Sequence, residues 1–176
     1  MPACTSQGYP NLDVAEANAR VVGGYRLDAG DKLRVTVFDE PTLTGEYEVG
    51  VAGAMTMPLI ADIPASGHTP EEVAQAISAK LAQGGYVLHP RVAVDVLTYR
   101  PFYILGEVNK PGEYTYAGEM SLLQAIAKAG GFTTRANRAS VIVRRKGWEG
   151  GRKAPVGDPG LMIMPGDTVT VNESLL

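Results

Sequence analysis

Glycine and proline interrupt this chain so often that it must fold into short elements joined by tight turns. Together they account for 33 of the 176 residues. Both residue types break regular helices and strands. Because few stretches lack one of them, the sequence predicts no long helix. It predicts a mixed α+β fold of short strands with two main helices.

Composition narrows the classes of protein to which the chain can belong. Hydrophobic residues make up 45% and charged residues 20% of the sequence, as in ordinary globular domains. The length fits one domain or two small ones. No apolar run approaches the roughly 18 residues of a membrane-spanning helix. A net charge of −3 argues against a general nucleic-acid binder.

Periodic patterns locate the expected elements. Apolar Leu33, Val35 and Val37 alternate with polar residues, which predicts a half-buried strand. Thr69, Pro70 and Glu72 form a helix start with a capping box. A second helix is expected after Ser121. Further strands are expected at residues 46–51, 55–60, 91–97, 102–105, 114–116, 140–144 and 168–171, with a loop at 149–160.

One local pattern occurs in both halves of the chain. Ala29-Gly-Asp-Lys-Leu-Arg-Val-Thr-Val and Pro165-Gly-Asp-Thr-Val-Thr-Val both read as a turn followed by a strand. Gly30 and Gly166 can adopt a positive φ without steric cost. Asp31 and Asp167 can accept backbone N–H bonds in such turns. We therefore expect a structural role for both aspartates.

Catalytic and cofactor motifs are not found in the sequence. It has no phosphate-binding loop, no dinucleotide-binding glycine pattern and no nucleophile elbow. His68 and His89 each lie beside a turn, without a second ligand at metal-binding spacing. The sequence therefore predicts no enzyme, catalytic residue, metal site or cofactor, and favours a binding or structural role.

Residues 135–153 form a strongly basic segment. It carries seven basic residues against the single acid Glu149, a net charge of +6, so the other 157 residues carry −9. Such a segment can contact an anionic polymer or an acidic neighbouring subunit, or it can be a solvated strand edge protected against aggregation. Trp148 lies among these charges, where we expect its ring to pack. The candidate polymer or subunit contacts are Arg135, Arg138, Arg144, Arg145 and Lys146.

The N-terminal residues contain the only cysteine of the chain. Cys4 follows the small residue Ala3, as at the cleavage site of a bacterial lipoprotein, so Cys4 is the candidate lipid attachment residue. The alternative is an incidental thiol near the chain end. No charged and apolar regions of a signal peptide precede it.

Seven segments, in this order, resemble the polysaccharide export proteins of the bacterial outer membrane, the Wza-type family. The first four resemble its export domain. The next two resemble an adjoining soluble-ligand-binding β-grasp (SLBB) domain, and the seventh resembles the usual end of that domain. The segments begin at Tyr25 (YRLDAGDKLRVTV), Gly53 (GAMTMPLI), Gly67 (GHTPEEV), Pro90 (PRVAVDV), Tyr103 (YILGEVNKPGEY), Leu122 (LLQAIAKAGGF) and Pro165 (PGDTVTV).

The resemblance implies an N-terminal tether at 1–24, a polysaccharide export domain at 25–99 and an SLBB β-grasp domain at 100–176. It also implies a periplasmic lipoprotein, anchored at Cys4 to the outer membrane, whose homo-oligomeric ring surrounds a conduit for capsular or exopolysaccharide. The implied partner is an inner-membrane polysaccharide co-polymerase.

Two departures from the larger family members are visible. This sequence has one β-grasp domain and no C-terminal amphipathic helix, so it is similar to the short, xanthan-export-like members. The alternative function is a β-grasp module that binds or senses a small saccharide near the Gly130-Gly131 turn. A glycan-cleaving enzyme would need paired carboxylates facing a cleft, which the sequence does not indicate.

Overall fold

The computed structural model describes residues 8–157 and 160–174, and within them it contains three α-helices and twelve β-strands. This confirms the predicted α+β class. In chain order the elements are α1 (Val14–Val22), β1 (Lys32–Val37), β2 (Gly45–Glu48), β3 (Ala54–Met57), β4 (Ala61–Pro64), α2 (Pro70–Gln83), β5 (Val92–Thr98), β6 (Phe102–Gly106), β7 (Gly112–Tyr114), β8 (Met120–Ser121), α3 (Leu122–Lys128), β9 (Ser140–Arg144), β10 (Arg152–Pro155), β11 (Met162–Ile163) and β12 (Thr168–Val171).

The chain divides into two compact units. The N-terminal unit is Gly24–Arg100, and the C-terminal unit combines the chain from Pro101 onward with the described residues before Gly24. The predicted three-part division at residues 24 and 99 remains a prediction.

The N-terminal unit is built on a three-stranded antiparallel sheet in the order β2-β1-β5. Leu33 and Val35 of β1 are fully buried, as their alternation predicted. Helix α2 shares their hydrophobic core through Val73, Ile77 and Leu81. The predicted capping box starts this helix and fixes where it begins.

The prediction of one strand at residues 55–60 was wrong. In the structure β3 and β4 form an antiparallel hairpin there. Leu59 and Ala61 take positive φ values of 71° and 54° at the hairpin turn. Residues other than glycine rarely adopt this conformation, so no local pattern marked the turn.

The C-terminal unit contains a five-stranded sheet in the order β10-β9-β12-β6-β7. Strand β12 runs parallel to β6, and the other pairs are antiparallel. Helix α3 begins at a capping box formed by Ser121 and Gln124, and it buries Leu122, Ala125 and Ile126.

Two parts of the C-terminal unit differ from expectation. The predicted loop at 149–160 contains β10, which pairs with β9. Residues 10–12 then extend the same sheet edge: Leu12 N–H donates to the Lys153 carbonyl and Lys153 N–H to the Pro10 carbonyl, each at 2.8 Å. Helix α1 follows, with Val14 and Ala17 buried. Residues 10–22 therefore pack in the C-terminal unit. The tether that the resemblance implies for residues 1–24 remains a prediction.

Candidate functional site

The basic segment gathers around the β9–β10 hairpin, and burial separates its members. The side chain of Arg145 is only 8% exposed, and Arg152 is half-buried. The exposed members are Arg135, Arg138, Arg144, Lys146 and Lys153.

Arg145 is bound inside the C-terminal unit. Its Nε donates to Oδ1 of Asp167 at 2.9 Å, and its Nη2 donates to Oδ2 at 2.8 Å. Nη2 also donates to the Met162 carbonyl at 2.9 Å. Both charged groups are buried and bound to each other. Arg145 is therefore not available as a surface contact, and we remove it from the candidate contacts.

Two arginines lie over the ring of Trp148. The Cζ atoms of Arg145 and Arg152 each lie 4.9 Å from the centre of its ring system, within the range of a cation–π interaction. Nη1 of Arg145 is buried without a hydrogen-bond partner among the described residues. The electron-rich face of the indole therefore supplies favourable electrostatics to this buried cation. The expected packing of the ring is confirmed.

Arg135 lies apart from the hairpin, near the end of the described chain. Its Nε donates to Oε1 of Glu173 at 2.7 Å, and this hydrogen bond raises the pKa of the guanidinium. The Ser174 N–H donates to the Arg135 carbonyl at 2.7 Å. Arg135 thus joins two chain segments while remaining exposed.

The two matching turns share one geometry. In the first, the Asp28 N–H donates to Oδ2 of Asp31 at 2.8 Å, and the Asp31 N–H donates to the Asp28 carbonyl at 3.1 Å. In the second, Met164 and Asp167 make the same two bonds at 2.9 and 3.1 Å. Both aspartates are fully buried, so their predicted structural role is confirmed.

An arginine completes the first turn as well as the second. Arg100 donates through Nη1 to Oδ2 of Asp28 at 3.0 Å and through its backbone N–H to Oδ1 of Asp31 at 3.2 Å. The Tyr25 hydroxyl donates to Oδ2 of Asp31 at 2.7 Å. Burial and this hydrogen bond raise the pKa of Tyr25. Burial alone would lower the pKa of Arg100, but its contacts with Tyr25 and both aspartates outweigh burial and raise it.

Sequence reasoning missed Arg100, because nothing near it in the sequence indicates a buried partner. The repeated turn is the one usable signal. Because Arg145 binds Asp167 in the second turn, the repeated pattern indicates that a cation also binds Asp31 in the first turn.

Neither histidine is placed beside a recognisable metal site. Nδ1 of His68 lies 3.2 Å from Oε2 of Glu72 at the start of α2, and His89 is exposed in a turn. In residues 8–157 and 160–174, no group of three or more His, Cys, Asp or Glu residues is arranged to hold a metal ion. Cys4 lies outside the described residues.

Backbone carbonyls of the Gly130-Gly131 turn accept hydrogen bonds from residues of the same unit. The side-chain amide of Asn109 donates to the Gly130 carbonyl at 2.7 Å, and the Asn109 N–H donates to the Gly131 carbonyl at 3.0 Å. Lys110 N–H donates to the Ala129 carbonyl at 2.8 Å. The carbonyls of this turn therefore already have donors.

A groove runs along one edge of the N-terminal unit. Its volume is about 490 Å³, and it lies between α2 and the edge strand β5. It is lined by Glu71, Ala74, Gln75, Ser78, Pro90, Val92, Ala93 and Val94. Edge strands present unpaired backbone groups that can pair with another chain.

No described helix has both the length and the apolar character needed to span a bilayer.

Two family models match this chain, one after the other. Residues 19–97 match the family described as polysaccharide biosynthesis/export protein, and residues 101–157 match the SLBB domain.

Curated relatives extend the likeness over most of the chain. The exopolysaccharide production protein ExoF of Rhizobium meliloti (strain 1021) is 40% identical over 118 residues, which is 61% of this chain and 28% of the relative. The EPS I polysaccharide export outer membrane protein EpsA of Ralstonia solanacearum is 30% identical over 188 residues, 92% of this chain and 48% of the relative. The polysialic acid transport protein KpsD of Escherichia coli is 26% identical over 124 residues, 69% of this chain and 22% of the relative. The chain thus spans less than half the length of each.

Proposed function

Because residues 19–97 of this chain belong to the polysaccharide biosynthesis/export family and residues 101–157 form an SLBB domain, we propose that it takes part in exporting capsular polysaccharide or exopolysaccharide through the bacterial outer membrane. The succession of these two domains is the observation that carries the proposal. One relative is an export outer membrane protein and another a transport protein by name.

The proposed mechanism is geometric and involves no reaction catalysed by this chain. Copies pack side by side through different surfaces, and such contacts close into a ring when the rotation between neighbours allows it. The open edge of β5 and the groove beside it offer one contact surface. The ring encloses a hydrated path along which the polymer moves without being held tightly.

The proposed location is the periplasmic face of the outer membrane. A lipid on Cys4 anchors the chain there, and an inner-membrane polysaccharide co-polymerase delivers the polymer to it. The exposed cations Arg138, Arg144 and Lys146 are the proposed contacts with the polymer or a neighbouring subunit, together with Arg135.

Deleting the gene and measuring polymer inside and outside the cell tests the proposed export. We expect extracellular polymer to disappear while polymer continues to be made, and the wild-type gene to restore export. If polymer synthesis itself stops, or if export continues, the proposal is wrong.

Counting subunits tests the proposed ring. The acylated protein, extracted in detergent from its own membrane, is weighed by native mass spectrometry and imaged. A closed oligomer with lipid mass on Cys4 is expected. A monomer at high concentration would contradict the ring.

A further inference from the structure

The outer face of the C-terminal sheet presents a row of side chains across four strands. Tyr103 pairs with Thr168 and with Glu113, and Thr168 pairs with Arg144. Paired residues project to the same side of a sheet. Their chain neighbours Ile104, Val169 and Val143 are fully buried, so this row lies on the side away from the core. Tyr103 is 37% exposed, and Arg144 and Glu113 are exposed.

A second row runs beside the first on the same face. It consists of Leu105, Thr170, Ile142 and Lys153. Leu105 is 45% exposed, whereas Ile142 is buried.

A second tyrosine lies at the β10 side of this face. A methyl group added at Gly151 would come within 2.7 Å of Ile142 Cγ2 and 3.1 Å of Tyr9 Cε1. The Tyr9 ring therefore lies close to Ile142, yet Tyr9 remains 44% exposed. The face thus carries one exposed aromatic ring on β6 and another beside β10, with hydroxyl groups and cations between them. The acid Glu113 on β7 lies on the other side of Tyr103, outside this interval.

These groups match the chemistry of an acidic sugar chain. A sugar ring has apolar C–H faces that pack on an aromatic ring, and a tyrosine offers both an apolar body and a polar tip. Strands are about 4.8 Å apart, so β9 and β6 are separated by roughly 10 Å, a span of a few sugar units. Thr168 and Thr170 supply hydroxyl groups, and Arg144 and Lys153 supply charges complementary to carboxylates.

We propose that this outer face, defined by Tyr9, Tyr103, Thr168, Thr170, Arg144 and Lys153, binds a segment of an acidic polysaccharide laid across the strands. The inference rests on the proposed export function and assigns to it a surface and a class of polymer. Arg144 binds an acidic substituent there, and Tyr103 stacks on a sugar ring.

Titration of the full-length protein with two defined oligosaccharides tests this surface. The probes are a hexamer of α-1,4-linked galacturonic acid and uncharged maltohexaose, and binding is followed by amide chemical shifts. We expect the acidic hexamer to shift amides of β6, β9 and β12. Tyr103→Ala should weaken its binding about tenfold, or about 1.4 kcal/mol. Arg144→Gln should weaken binding of the acidic hexamer and bring it close to that of maltohexaose.

Tyr86→Ala is the matched control, because Tyr86 is 50% exposed and belongs to the N-terminal unit. It should bind the acidic hexamer as the wild type does. The proposal is overturned if neither oligosaccharide binds, if the shifts map to another surface, if maltohexaose binds equally well, or if Tyr103→Ala has no effect.

The same variants separate this proposal from the proposed export function. If gene deletion blocks export while the double variant Tyr103→Ala/Arg144→Gln exports normally, the binding surface is wrong and the export function stands. If deletion leaves export intact, the export function is wrong, and the titration decides the surface independently.

Discussion

Arg145 and Asp167 form a two-pronged ion pair within the C-terminal unit, with N···O distances of 2.9 and 2.8 Å and side-chain exposures of 8% and 0%. The pair joins the residue after β9 to the turn before β12. Removing two charges from water costs free energy that their attraction repays only when the geometry is good, whereas removing one partner leaves a buried charge uncompensated.

Arg145→Met should therefore lower the free energy of unfolding of the C-terminal unit by about 3–5 kcal/mol. Urea denaturation followed by circular dichroism measures the change. Arg144→Met, one residue away and exposed, is the control and should stay within about 0.5 kcal/mol of wild type. Equal stability of the two variants would show that the ion pair contributes nothing.

Trp148 should stabilise the two arginines that lie over its ring. We expect Trp148→Leu to cost about 0.5–2 kcal/mol of unfolding free energy. A double-mutant cycle with Arg152→Gln isolates the ring's contact with Arg152 from its contact with Arg145. If the two substitutions are additive, the contact between Trp148 and Arg152 carries no interaction energy.

Gly106 should tolerate no side chain. Its φ is +85°, and an added Cβ would lie 2.1 Å from the Val171 carbonyl oxygen, which belongs to a strand that cannot easily move. Gly118, with φ +103° and no atom within 4 Å of an added Cβ, provides the matched control. Both alanine variants should lose roughly 1–2 kcal/mol from the positive φ, and Gly106→Ala about 1–3 kcal/mol more from the clash. Equal melting temperatures of the two alanine variants would contradict this prediction.

Helix α2 should lose stability in acid. The Thr69 backbone N–H donates to the Glu72 carboxylate at 3.0 Å and lowers the pKa of Glu72 below its usual 4.5. A lowered pKa means that the folded state favours the ionised group, so this contribution is fully present above pH 4.5 and is lost as the pH falls through the folded pKa. Glu72→Gln should flatten the pH dependence of stability below pH 4.5, whereas Glu71→Gln in the same turn should retain more of it. An unchanged slope in Glu72→Gln would rule out the cap as its source.

Sequence patterns predicted the elements whose signals are local. The start of α2 follows from Thr69 and Glu72, and the burial of β1 follows from the alternation at Leu33 and Val35. The turns at Asp31 and Asp167 were likewise visible, because they repeat.

Features decided by distant partners were not predictable. Strand β10 has only Ala154 buried among its residues, and its pairing with β9 defines it. Arg145 was singled out for its charge, but its burial depends on Asp167, 22 positions away. The outer face emerges only when the register places Tyr103 beside Thr168.

Depletion of the protein in living cells tests the central claim of export most directly. The gene is placed under an inducible promoter, so that removing the inducer stops synthesis and growth dilutes the protein, while radiolabelled sugar reports polymer made and polymer released in the same culture. We predict that release stops as the protein disappears, with labelled polymer accumulating inside the envelope. Continued release at the earlier rate after depletion would contradict the account.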